Sequence, residues 1–275
     1  MPLDAMRAAD AMEARLRAEG SPERAAGEKR YLKSDLEFLG ATVWQIRREV
    51  RAFAGERAEV THDELVALVG ALWARPVFER RMAAAMLLEA HAGVLEPEQD
   101  LALLEQLVRE SRTWALVDQL AGDVLGALLV RRPEAAPALD AWAADGDFWV
   151  RRAALLAWLA PLKRGAPLDR FAAYADAMLD EKEFFIRKAI GWVLRETGKA
   201  RPDEVFAWLA PRTARASGVT VREAVRYLPE EQREALLAGY RAKRPVAEAQ
   251  RVAPATATVA DQPRTGASPA SPPGA

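Results

Sequence analysis

Cysteine is absent from this chain of 275 residues. That excludes disulfides, thiolate nucleophiles and thiolate metal centres. Histidine is scarce as well, with His62 and His91 alone. His62 falls in Thr61-His62-Asp63-Glu64, the pattern of a helix start in which Thr61 caps and Glu64 closes a capping box. His91 follows the helical run ending in Glu89-Ala90. Neither has a partner at the spacing of a metal site or a catalytic triad, so no metal and no cofactor are expected. No apolar run is long enough to cross a bilayer. Met1–Gly20 is charged throughout, unlike a secretory signal. These absences predict a cytoplasmic protein with no membrane partner. An excess of charge of one sign is also missing: 39 Lys and Arg stand against 40 Asp and Glu, for a net charge of −1. That argues against a polyanion partner unless the cations are segregated on one face.

What the chain does have is helix-forming apolar residues. Apolar types make up 51% of it; alanine, leucine and arginine are abundant and strand-forming runs are few, which favours an all-helical protein. Phe78, Trp114, Trp149 and Phe185 are spaced 36, 35 and 36 residues apart, and Thr220 follows after another 35. All but Trp114 open a phrase of one kind: Phe-Glu-Arg-Arg-Met-Ala, Trp-Val-Arg-Arg-Ala-Ala, Phe-Ile-Arg-Lys-Ala-Ile, Thr-Val-Arg-Glu-Ala-Val. A period in this range marks stacked helical repeats. The expected fold is all-α, a superhelical solenoid of HEAT-like antiparallel helix pairs. The pairs are 63–73 with 77–91, 97–110 with 113–130, 134–144 with 148–160, 168–180 with 183–196, and 203–210 with 219–227. The repeat domain is expected over residues 1–244. Residues 245–275, rich in Pro, Ala, Ser, Thr and Gly, read as a disordered tail.

Counting from each opening residue as zero, positions 1, 5 and 8 hold Val150, Ala154 and Ala157, then Ile186, Ile190 and Val193, then Val221, Val225 and Leu228. This is the expected buried stripe. Positions 0, 3, 4 and 7 carry aromatic and charged residues and read as a different stripe, not an ordinary core. Cations recur at positions 2 and 3: Arg80 and Arg81, Arg151 and Arg152, Arg187 and Lys188, then Arg222. Aligned repeats would place them along one basic track suited to phosphates. Position 4 is Met82, Ala153, Ala189 and Ala224 in four copies; in the Trp114 copy it is Asp118. One turn separates Trp114 from Asp118, so ring and carboxylate face one spot. A carboxylate stabilises an oxocarbenium ion, and an indole face attracts a cation. Purines alkylated on a ring nitrogen are cationic and leave as neutral bases, so one carboxylate and a positioned water suffice.

Glu183–Glu196 (Glu-Phe-Phe-Ile-Arg-Lys-Ala-Ile-Gly-Trp-Val-Leu-Arg-Glu) closely resembles the signature of the bacterial DNA alkylation repair family, HEAT-like-repeat alkylpurine DNA glycosylases. Tyr31–Gly40, Trp114–Asp118 and Asp147–Ala154 match in the family's order, over about Met6 to Tyr240. The resemblance implies that Asp118 is the catalytic carboxylate, that Trp114 and Trp192 contact the lesion-bearing nucleotide in one cleft, and that Arg152 contacts the DNA backbone. It implies that Tyr31 lies against the duplex and that Arg187, Lys188 and Arg195 contact phosphates, with Arg81 and Arg151 added from the basic track. It further implies N3- and N7-alkylated purines in double-stranded DNA as substrate. A monomer is expected. The alternatives are a scaffold that binds another protein on its concave face, and a DNA-binding relative without base-excision activity.

Overall fold

A computed structural model describes residues 3–57 and 59–252. Helices α1 (Ala5–Glu19), α2 (Pro22–Leu32) and α3 (Val43–Glu56) precede the repeats. The helix pairs then fall where the periodicity predicts: α4 (His62–Trp73) and α5 (Phe78–Ala90), α6 (Pro97–Ser111) and α7 (Trp114–Asp118) continued by α8 (Gly126–Arg131), α9 (Leu139–Ala143) and α10 (Phe148–Leu156) with α11 (Leu159–Lys163), α12 (Asp169–Ala177) and α13 (Phe184–Gly198), α14 (Pro202–Leu209) and α15 (Gly218–Ala224). Helix α16 (Glu230–Val252) runs past the expected end of the repeat domain, and residues 253–275 lie outside the described residues. No strand occurs among the described residues. A single bridge pairs Glu37 with Val77.

The second helices stack in series, α5 on α7, α7 on α10, α10 on α13 and α13 on α15. Their positions 1, 5 and 8 are buried without exception from Val150 to Leu228. Positions 0, 3, 4 and 7 are closer to an ordinary core than expected: Val117, Ala121, Ala153, Leu156 and Ala189 are buried too. Gly191 shows how close the stack is. A Cβ there would meet the Thr220 carbonyl oxygen at 2.9 Å and the Glu223 Cβ at 2.6 Å, so α13 and α15 approach at a distance only glycine allows.

Local chemistry explains where elements depart from the sequence pattern. Pro161 cannot donate to residue 157, and the helix expected over 148–160 splits into α10 and α11 there. Pro133 and Pro137 turn residues 133–138 into a 3₁₀ segment. Between α7 and α8 the chain forms a π-helical segment, Gln119–Leu125, closed by the Gly126 N–H donating to the Ala121 carbonyl.

Arg80 is a correction to the basic track. It is completely buried, donating to Asp10 at 3.0 Å, Glu13 at 2.6 Å and the carbonyls of Leu72 and Ala71 at 3.2 and 2.7 Å. It ties α1 to the α4–α5 pair and touches no groove. Removing one partner of a buried ion pair strands the other, at about 3–5 kcal/mol. Arg80→Ala is therefore expected to lose that much stability in urea denaturation; a loss below about 1 kcal/mol would refute the assignment.

His62 also gains a partner that its sequence context hides. Thr61 and Glu64 form the expected capping box, while Nε2 of His62 lies 2.9 Å from Oδ1 of the buried Asp100. The hydrogen bond to Asp100 outweighs desolvation and raises the His62 pKa. A raised folded pKa means the contact stabilises fully below the ordinary histidine value and is lost as pH rises through the folded one. His62→Gln is expected to destabilise the protein at pH 5.5 more than at pH 8.5; an equal loss at both would show that the contact does not titrate.

Candidate functional site

The segment between α2 and α3 is fixed before the site forms. The buried Glu79 carboxylate at the start of α5 accepts from Leu39 N–H at 2.9 Å and Gly40 N–H at 2.7 Å. Phe38 stacks on Phe78 with centroids 4.9 Å apart. Gly40 has φ +83°, and a Cβ there would sit 2.0 Å from the Ser21 carbonyl oxygen. This clamp holds the segment after α2, with the start of α2 packed on it at Ser21, against the repeats. Tyr31, 72% exposed, meets Trp114 edge to face with ring centroids 5.9 Å apart.

Below that aromatic pair lies a cavity of about 330 Å³, small for a ligand pocket but within the usual range of about 300–1,000 Å³. Its lining includes Tyr31, Leu32, Trp114, Asp118 and Asp123. Asp118 has a side chain 14% exposed and is held by Arg152 through two parallel bonds, Nε to Oδ1 at 2.8 Å and Nη2 to Oδ2 at 2.9 Å. Arg152 is 3% exposed and its third nitrogen donates to the Phe185 carbonyl at 2.5 Å. The guanidinium also lies over the Phe185 ring, 5.7 Å from its centroid. Burial pushes the Asp118 carboxyl above its ordinary pKa, and the Arg152 bonds only partly oppose it. The result is a carboxylate fixed in direction, open on one side to a cavity, and more basic than a solvated aspartate.

The match to a family model is decisive at this point: the model described as DNA alkylation repair enzyme covers residues 12–228. The chain belongs to the DNA alkylation repair enzyme family. Its fold is shared with a protein described as a predicted DNA alkylation repair enzyme from Enterococcus faecalis, at 24% identity and a TM-score of 0.70, over 77% of this chain and 97% of that one. AlkD2 from Streptococcus mutans is similar at 16% identity and a TM-score of 0.54, over 76% of this chain and 99% of that one. The smu.31 protein from Streptococcus mutans UA159 matches at 16% identity and 0.54, over 68% and 94%. No curated protein matches the chain. Membership in a DNA repair family makes DNA the expected macromolecular partner. No helix among the described residues is long and apolar enough to cross a membrane.

Not every residue expected at the family's site meets at one point. Trp114 and Asp118 share the 330 Å³ cavity. Arg152, expected against the DNA backbone, is instead buried behind Asp118. Trp192 lines a second, larger cavity of about 700 Å³ with Lys163, Arg195 and Lys199. Asp123 lines both. The larger cavity holds no group poised like Asp118, so the chemistry argues for the smaller one.

The expected phosphate contacts are already engaged by protein. Arg151 pairs with Glu181 at 3.0 and 2.8 Å and donates to the Asp145 and Gly146 carbonyls. Lys188 and Arg195 share Glu223. Arg187 donates to the Glu181 carbonyl at 2.6 Å. Arg81 donates to the Glu110 carbonyl at 2.9 Å and covers the Trp73 ring, 5.0 Å from its centroid.

Asp123 is the site residue that sequence reasoning missed. In an α-helix a residue five positions on leaves the face, but in a π segment it returns under the first. The Gln119–Leu125 turn therefore brings Asp123 below Asp118 in the same cavity. Burial raises the Asp123 pKa, and the charges of Glu89 and Asp118 add to the rise against that of Arg47. Gln119 donates to Glu89 at 2.8 Å beside them. The floor of the cavity is acidic, which favours a cation there.

Proposed function

We propose that the protein is a monofunctional DNA glycosylase that hydrolyses the N-glycosidic bond of N3- or N7-alkylated purines in duplex DNA. The observation that carries this reading is Asp118: a fixed carboxylate beside Trp114, facing an acidic cavity open to the surface. The bond from C1′ to the base nitrogen breaks with its electron pair on the base. That cancels the base's positive charge and leaves a positive sugar. The Asp118 carboxylate stabilises that sugar by charge attraction. A water oxygen then bonds to C1′, and its proton passes to the carboxylate, whose raised pKa suits it as acceptor. The Trp114 face attracts the cationic base before cleavage. Arg152 acts through Asp118 as a positioning residue. Trp192 would meet a neighbouring nucleotide from the second cavity, and exposed Tyr31 would lie against the duplex.

Binding to DNA without base excision is the second reading, favoured by the Arg152 bond that each Asp118 oxygen already accepts. Incubation of the protein with duplex DNA carrying N7-methylguanine or N3-methyladenine, followed by chromatography of the released bases, separates the two. Free alkylated base is expected. Tight, salt-sensitive binding with no release would establish the second reading instead, and no binding at all would point to a protein-binding scaffold.

A further inference from the structure

Helix α2 ends on Lys33, at φ 49° and ψ 44°, and helix α6 ends on Arg112, at φ 46° and ψ 20°. Among the described residues these are the two non-glycine positions with a left-handed backbone. Helices commonly end this way, but on glycine or asparagine, because a longer side chain strains the conformation. Here both positions carry a long cation.

Both also stand close in sequence to one aromatic contact. Tyr31 stands two residues before Lys33, Trp114 stands two residues after Arg112, and the Tyr31 and Trp114 rings are in edge contact at 5.9 Å. Leu32 and Trp114, which flank the two cations in sequence, line the Asp118 cavity. Lys33 thus directly follows one lining residue of that cavity, and Arg112 stands two residues before another. Both are exposed, and among the described residues neither side chain forms a hydrogen bond or an ion pair. This sets them apart from Arg151, Lys188 and Arg195, whose charges are met by Glu181 and Glu223. A cation already paired inside the protein releases few counterions on meeting a phosphate; a free one releases its full share.

We propose that Lys33 and Arg112 are a phosphate-gripping pair at the mouth of the Asp118 cavity, taking the phosphodiester backbone of the strand whose nucleotide faces Asp118. The pair adds unpaired charge to a track in which Arg151, Lys188 and Arg195 are already met by carboxylates, while the acidic floor of the cavity takes the positive base. Backbone strain is kept at two positions because the cations are needed there. This rests on the reading that the groove takes duplex DNA.

Glycine substitution tests the proposal, since it removes the charge and relieves the strain together. The full chain is titrated onto unmodified duplex DNA by fluorescence anisotropy across a salt series, with Lys33→Gly, Arg112→Gly and the double variant. Each phosphate contact contributes about 0.9 to the slope of log K against log salt. The double variant is expected to lose about two contacts' worth of slope while its melting temperature stays equal or rises. Arg112→Lys, which keeps the charge, is expected to keep the wild-type slope. The same pair of positions changed to Asn, which tolerates left-handed φ, gives the same reading should glycine weaken the fold. A double variant with wild-type affinity and slope would show that the cations merely end their helices. An Arg112→Lys variant that falls as far as Arg112→Gly would show that charge is not what matters. A wild type with no affinity for duplex DNA overturns the DNA reading itself; intact binding that ignores both substitutions overturns the pair alone.

Discussion

Asp118→Asn is expected to slow release of alkylated base about a hundred- to a thousandfold while affinity for undamaged duplex DNA stays near that of the wild type. The rate effect follows from removing one fixed charge aimed at a developing cation, a loss typically of that size. The substitution also acts on the fold. An asparagine amide accepts one bond from Arg152 but turns an N–H toward the second guanidinium nitrogen, and it leaves a buried cation without its counter-charge. Stability should therefore fall, by about 3 kcal/mol if the loss sits at the low end for a broken buried pair. Rate and stability must be read together: single-turnover release on damaged duplex, and denaturation of the same preparation. A folded variant that binds DNA and still releases base at the wild-type rate would remove Asp118 from the chemistry.

Asp118 was legible because the repeat made it odd. Met82, Ala153, Ala189 and Ala224 set what the position normally holds, so a carboxylate there stood out without comparison to any other chain. The buried stripe from Val150 to Leu228 was legible for the same reason, as each helix repeats one pattern at one spacing. Charge was harder. Arg80 and Arg151 hold the same place in their repeats, yet Arg80 is buried because α1 brings Asp10 and Glu13 from 70 and 67 residues away. No local pattern carries that. The pairing of Lys188 with Glu223, in contrast, lies 35 residues apart, one repeat. Equivalent positions of neighbouring repeats hold opposite charges there, a sign that the track is neutralised and one that the sequence already contained. Asp123 could not be placed, since its face depends on a π turn that periodicity assumes away. Nor could the separation of Trp192 from Trp114 into two cavities, which no repeat spacing encodes.

Arg152→Ala is expected to have an effect of similar size by a different route. Arg152 touches no open surface; it supplies two bonds and a full positive charge to a carboxylate that burial already makes reluctant to ionise. Without it, nothing in the immediate shell opposes desolvation, and the Asp118 pKa rises further above its unfolded value. Less of the carboxylate is then ionised at neutral pH, so base release falls and the acid limb of its pH profile moves up. The sign for stability follows from the same shift. A folded carboxyl with a raised pKa binds its proton better than the unfolded chain does, so its contribution is most favourable below the ordinary carboxylate value and is lost as pH rises through the folded pKa. The variant should therefore lose more stability relative to wild type at pH 8 than at pH 5, approaching about 3–5 kcal/mol at the higher pH. Arg152→Lys should recover little, because one ammonium cannot make two parallel bonds to Asp118 and a third to the Phe185 carbonyl. Denaturation at the two pH values, with release rates from pH 5 to 9, tests this. A uniform loss with an unmoved acid limb would reduce Arg152 to a packing residue and leave the basicity of Asp118 to be explained by burial alone.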